Sequence, residues 1–189
     1  MSHVSRARST KGQPRLVTVK LAPDLPSLRT PLNGTVIVEA IRESNRAAFG
    51  VAHFTIQRDH LHLIVESDGA PALANGMKGL TCRVARGLNR AWRRKGRVFR
   101  ERFHDVVLSS PRTVRNALVY VLNNHRRHGE DLAAPWLADR PDEYSSGKYF
   151  DGWADHEPEY EPGVPGAHVV RGGWLVAVGW KRYHPAIRV

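Results

Sequence analysis

His60-Leu61-His62, within the stretch RDHLHLIVES (58–67), places two imidazoles where chemistry is possible. Side chains alternate along a strand, so His60 and His62 share one face while Leu61, Leu63 and Val65 take the other. Two partly exposed histidines on a half-solvated sheet would explain the pattern. So would a two-histidine clamp for a divalent cation, with imidazole suiting Mn²⁺ or Zn²⁺ better than Mg²⁺. A second group lies in SPRTVRNALVYVLNNHRRHG (110–129). Val114, Ala117, Leu118, Val121 and Leu122 recur at helical spacing and form its buried stripe. At 100° per residue, Tyr120 sits roughly 130° from the centre of that stripe and Asn124 about 40° from Tyr120. One helix thus offers a phenol and a carboxamide together, away from its own core. A cation held by His60, His62 and Asn124 would polarise a phosphodiester for attack by the Tyr120 hydroxyl. A phenol of pKa about 10 needs such an electrophile, or help in losing its proton. His125 falls on the buried stripe and is a ligand only if Asn124 fails.

The elements that must position these groups follow from periodicity and punctuation. RLVTVKL (15–21) reads as a strand, and a helix is expected from Asn33 to Phe49 with Val36, Ile37, Ala40, Ile41, Ser44 and Ala48 buried and Gly50 ending it. Strands around 51–57 and 60–66 flank Arg58-Asp59, a pair short enough for a hairpin. A second helix runs from Pro71 to Arg94, with Leu73, Met77, Leu80, Val84, Leu88 and Trp92 on one side. Its glycines Gly76, Gly79 and Gly87 weaken it or admit a close neighbour. RVFRERFHDVVL (97–108) reads as a fourth strand. The third helix is capped by Ser110, begins with Pro111 and ends near Gly129. The order describes an α+β, ferredoxin-like split βαβ sandwich with an antiparallel sheet, an appended catalytic helix and a C-terminal extension.

The chain has 189 residues and a net charge of +11, unevenly spread. Residues 1–130 hold 23 Lys+Arg against 9 Asp+Glu, residues 131–161 hold 2 against 9, and residues 162–189 hold 4 against none. A basic body followed by an acidic segment points to a polyanion partner. The expected organisation is a disordered basic arm (1–13), a catalytic domain (14–130), an acidic Pro/Gly-rich segment (131–170) and an apolar-aromatic basic tail (171–189). The acidic segment is read as linker-like, the alternative being a flap over the basic face. Nothing in the sequence has the length of a transmembrane segment or the pattern of a signal peptide, so no membrane partner is expected. One cysteine, Cys82, excludes an internal disulfide, fits a reducing cytoplasmic setting and reads as a small buried filler.

The motifs resemble those of the single-tyrosine HUH transposases, and among them the REP-associated tyrosine transposases. The histidine-hydrophobic-histidine strand is His60-Leu61-His62, and YVLNNHRRHG carries a tyrosine followed four residues later by an asparagine. LNRAW with Asn89, GRVFRERF, Tyr144-Ser145-Ser146 and GWLVAVGWKRYH extend the likeness over roughly residues 15–150 and into the tail. The family often has Pro-Asn before the first histidine, where this chain has Arg58-Asp59, and Asn-Pro after the tyrosine, where it has Asn124-His125. The resemblance implies a metal-dependent single-stranded DNA endonuclease and strand transferase, with Mg²⁺ or Mn²⁺ as cofactor. Tyr120 would be the nucleophile forming a 5′-phosphotyrosine link, and His60, His62 and Asn124 the metal ligands. Single-stranded or hairpin DNA would be the partner, of a monomer or a homodimer.

DNA contact is expected from Arg83, Arg86, Arg90, Arg93, Arg94, Lys95, Arg97, Arg100 and Arg102, as phosphate binders that supply affinity rather than sequence choice. Trp180 and Tyr183 are candidates to stack on bases. Trp92 continues a buried stripe and fits the core better. His53, His104 and His128 fit structural or surface roles. The competing reading is a non-catalytic nucleic-acid-binding module of the same fold, against which stands the lack of stacking rings on HLHLIVE. A third reading is a domesticated relative that still binds DNA hairpins but transposes nothing; the intact His60, His62 and Tyr120 argue against loss of chemistry. A two-histidine phosphoesterase would need a second His-x-Ser/Thr motif.

Overall fold

Alternation in β1 (Arg15–Lys20) already divides the domain into two layers. Val17 and Val19 point to one side with Leu61, Leu63 and Val65 of β3 (His60–Ser67), and Leu16, Thr18 and Lys20 to the other with Ile64, His62 and His60. The computed structural model describes residues 12–127, 139–159, 169–170 and 172–189. Its four-stranded antiparallel sheet has the order β2-β3-β1-β4, with β2 at Phe49–Ile56 and β4 at His104–Val107. Helices α1 (Pro31–Ser44) and α2 (Ala70–Ala91) cover the first side. Helix α3 (Pro111–Leu122) covers part of the second, packing Val114, Leu118 and Val121 with Ile64 and Ala52. This is the expected α+β, ferredoxin-like arrangement with an appended helix.

The punctuation that sets α3 is as anticipated. Ser110 accepts from the Thr113 amide while the Thr113 hydroxyl accepts from the Ser110 amide, a reciprocal cap, and Pro111 opens the helix. The hairpin between β2 and β3 is also the short one expected, since the Gln57 amide donates to the His60 carbonyl and leaves Arg58-Asp59 as the loop. Two α2 glycines admit close neighbours. A Cβ on Gly76 would lie 2.2 Å from Phe49 Cγ, and one on Gly87 2.5 Å from Val36 Cγ1.

Several expectations are corrected. The first helix stops at Ser44, not Phe49, because Asn45 turns extended and the Arg46–Phe49 backbone pair begins β2; Ala48 is exposed and Gly50 lies inside the strand. The fourth strand is confined to four residues. Residues 97–103 run irregularly past the end of β1, held by Leu21–Phe99 pairing and the Arg100 amide on the Lys20 carbonyl. The third helix breaks at Asn123, whose amide still bonds Val119, and a separate turn α4 (Asn124–Arg127) follows. Cys82 is exposed on α2 rather than buried.

Residues 139–159 are not linker-like. Arg29 clamps Asp142 with both ends of its guanidinium (2.8 and 2.9 Å), the Ser146 hydroxyl accepts from the Phe54 amide, and Tyr149, Phe150 and Trp153 are buried. Their aromatic side chains outweigh the acidic composition that suggested a linker. The tail packs as well. Trp180 is fully buried and stacked on Phe150, which removes it as a base platform, whereas Tyr183 is exposed. The arm at 1–11, His128, Gly129 and residues 130–138 and 160–168 lie outside the described residues. Among the described residues no helix is long and apolar enough to cross a membrane.

Candidate active site

The polar half of the second sheet face is where β1, β3 and α3 meet. Because α3 packs its stripe on the Ile64 end of β3, the His60–His62 end is left for Tyr120, two residues before α3 stops. The Tyr120 hydroxyl stands 3.0 Å from His62 Nε2, with the two rings edge to face at 4.8 Å. The His60 and His62 rings are 4.6 Å apart between centroids, also edge to face. Three of the groups singled out from the sequence are therefore brought together from residues 58 positions apart in the chain.

Each histidine has an outer partner on its other nitrogen. His62 Nδ1 lies 2.9 Å from the Thr18 hydroxyl, across the β1–β3 register pair Thr18–His62. His60 Nδ1 lies 2.7 Å from Asp59 Oδ1, and this hydrogen bond holds the Asp59 carboxyl below its usual range. Hydrogen bonds of this kind fix ring orientation and decide which nitrogen offers its lone pair. In both rings Nδ1 is the nitrogen engaged by these partners, and Nε2 of His62 is the one that faces Tyr120. Neither Thr18 nor Asp59 was singled out as a site residue. The available signal was the polar face of RLVTVKL, where Thr18 and Lys20 interrupt an otherwise apolar strand.

Asn124 is completely buried in α4, and neither polar atom of its carboxamide has a hydrogen-bond partner among the described residues. A buried amide without partners needs one. The break at Asn123 puts it on a new turn rather than on one continuous helical face with Tyr120, and the described hydrogen bonds do not join it to the histidines. His125 is buried beside it, as its place on the stripe required. Among the described residues no three His, Cys, Asp or Glu side chains converge. By donor chemistry alone, two imidazoles and a neutral carboxamide would suit a divalent cation with open positions, and of the three only the imidazoles stand side by side in the described contacts.

The basic residues divide between two places. Arg83, Arg86 and Arg90 stand on α2, behind the sheet from Tyr120, and Arg83 is engaged with Glu43 and Ser44. Arg93, Arg94 and Lys95 form the turn after α2, where Arg94 bonds Asn89 Oδ1 and the Arg97 carbonyl. Arg97, Arg100 and Arg102 lie on the segment running past Lys20, the register partner of His60. His104 is exposed on β4 in register with Thr18. His53 is buried against Ser146 Oγ (3.2 Å) and Phe150, and burial lowers its pKa to about 4. Trp92 is partly buried and donates to Asn33 Oδ1.

The architecture is thus that of a ferredoxin-like domain in which an added helix sets a tyrosine against paired histidines on a central strand. No protein-family model matches the chain, and no curated protein does. Among solved structures it shares the fold of a REP-associated tyrosine transposase bound to a REP hairpin, at a TM-score of 0.61 and 18% identity, over 77% of this chain and 82% of that one. A bacterial tRNA(His) guanylyltransferase-like protein in complex with GTP aligns at a TM-score of 0.48 and 11% identity, over 69% of this chain and 72% of that one.

Proposed function

We propose that the protein is a single-stranded DNA endonuclease and strand transferase that works through a 5′-phosphotyrosine intermediate on DNA hairpins. The observation that carries this reading is the 3.0 Å contact between the Tyr120 hydroxyl and His62 Nε2. The shared fold with a transposase bound to a REP hairpin supports the choice of substrate.

In the reaction, Tyr120 Oη attacks the scissile phosphorus, the new P–O(Tyr) bond forms, and the bond to the 3′ oxygen breaks. The leaving oxygen takes a proton and departs as a 3′-hydroxyl. The phenol proton passes to His62 Nε2 or, when that lone pair is coordinated, to solvent. Attack by another 3′-hydroxyl reverses the step and joins strands, because one phosphodiester is exchanged for another. His60, His62 and Asn124 would hold Mg²⁺ or Mn²⁺, which would withdraw charge from the non-bridging phosphate oxygens. With Nδ1 of His62 turned to Thr18, Nε2 would be the atom left to hold the cation, and it is also the atom nearest the phenol. The nucleophile and the polarised phosphate would therefore meet at one point.

The test is a denaturing protein gel of wild type and Tyr120→Phe incubated with labelled hairpin DNA and Mg²⁺ or Mn²⁺. A metal-dependent covalent band is expected in the wild type and not in the variant. Tight hairpin binding with no adduct under any metal would leave the molecule a binding module.

A further inference from the structure

We infer that the groove between α2 and the segment 97–103 is a second nucleic-acid site, which takes the unpaired flank of the same DNA strand after it passes round the β4 edge of the sheet. The groove holds a volume of about 650 Å³. It is lined by Asn75 and Lys78 of α2 and by Arg97, Phe99, Arg102 and Phe103 of the facing segment, with Glu101 the one acid. Lys78, Arg97 and Arg102 are exposed, and Phe99 and Phe103 are partly buried rings. Cations interleaved with aromatic rings suit unpaired nucleotides, the cations meeting phosphates and the rings offering stacking faces to bases of any sequence.

The groove lies behind the sheet from Tyr120, yet the two are connected by one continuous piece of chain. Its wall, residues 97–103, passes the end of β1 with the Arg100 amide on Lys20, then becomes β4 at His104. His104 is in register with Thr18, which is hydrogen-bonded to His62. From the histidines a strand would cross β1 and then β4, an edge strand of four residues with alternate side chains exposed. No further strand blocks the way round that edge among the described residues. Two strand spacings of ~4.8 Å and one layer spacing of ~10 Å make a path of roughly 20 Å. At the ~3.4 Å rise of a stacked strand this is at most about six nucleotides.

This inference rests on the proposed DNA-processing role, and the two fail differently. Fluorescence anisotropy of the full chain carrying Tyr120→Phe would be measured on hairpins with 5′ or 3′ oligo-dT flanks of two to ten nucleotides. For one flank polarity, affinity is expected to rise about tenfold as the flank grows to about six nucleotides, then to level off. Lys78→Glu added to that chain abolishes the rise. Arg112→Glu, the same charge change at an exposed position on α3, retains it. A flank effect absent from both polarities, or lost equally with Arg112→Glu, overturns the second site while leaving the covalent adduct as evidence for the first. If no hairpin binds, both readings fall together.

Discussion

The Thr18 hydroxyl lies 2.9 Å from His62 Nδ1, and the Tyr120 hydroxyl lies 3.0 Å from Nε2 of the same ring, so one imidazole is held between a strand residue and the Tyr120 phenol. Removing the Thr18 partner frees the ring to rotate or to change tautomer. Loss of such an outer partner typically costs 10- to 100-fold in metal affinity or activity. Thr18→Val, close in shape, is expected to weaken Mn²⁺ binding by calorimetry and to slow adduct formation within that range. Unchanged values for both would show that the hydrogen bond positions nothing.

Asp59 makes the corresponding bond to His60 Nδ1 from an exposed position, with 74% of its side chain accessible. Its effect on folding should therefore be negligible, and its effect on His60 specific. Asp59→Asn retains an acceptor oxygen, whereas Asp59→Ala retains none. Mn²⁺ affinity is expected to fall further in the alanine variant than in the asparagine variant, at equal thermal stability. Equal affinity in the two would mean that Asp59 acts as a hairpin residue alone.

The fold and the meeting of Tyr120 with the paired histidines were legible because they depend on periodicity and spacing. Period-two alternation placed His60 and His62 together, and period-3.6 spacing turned Tyr120 away from its own stripe. The partners on His62 were not legible, because Thr18 meets it through strand register, a relation between residues 44 positions apart. Continuity of α3 past Leu122 was overestimated for a related reason. Helical periodicity persists through His125, but Asn123 departs from helical geometry and Asn124 begins a new turn. Composition misled at 139–159, where six exposed acids and Asp142, buried against Arg29, obscured Tyr149, Phe150 and Trp153 facing the core.

His53 gives the fold a defined acid sensitivity. Burial lowers its pKa from 6.5 to about 4, so the folded chain holds it neutral over a range in which the unfolded chain protonates it. The His53 contribution is complete above pH 6.5, falls as pH drops toward 4, and is gone below that, with a total on the order of 3 kcal/mol. His53→Asn, which can still reach the Ser146 hydroxyl, removes this contribution. Urea unfolding between pH 7 and 4 should show a shallower loss of stability in the variant. Parallel curves for the two proteins would sink the assignment.

Arg29 anchors the segment that carries Tyr144, Ser145 and Ser146. Its guanidinium donates twice to Asp142, once to the Ile56 carbonyl at 3.0 Å, and lies 4.6 Å from the centre of the Tyr144 ring. Only 3% of the Asp142 side chain and 12% of the Arg29 side chain are accessible. Taking away the cation leaves a buried carboxylate uncompensated, a loss of about 3 kcal/mol in comparable buried pairs. Arg29→Met is therefore expected to lower the urea midpoint and to expose 139–159 to limited proteolysis. Arg29→Met with Asp142→Leu removes both charges and should recover most of the loss, because the penalty belongs to the unpaired carboxylate rather than to the missing bond. A double variant as unstable as the single one would instead assign the effect to the Tyr144 and Ile56 contacts.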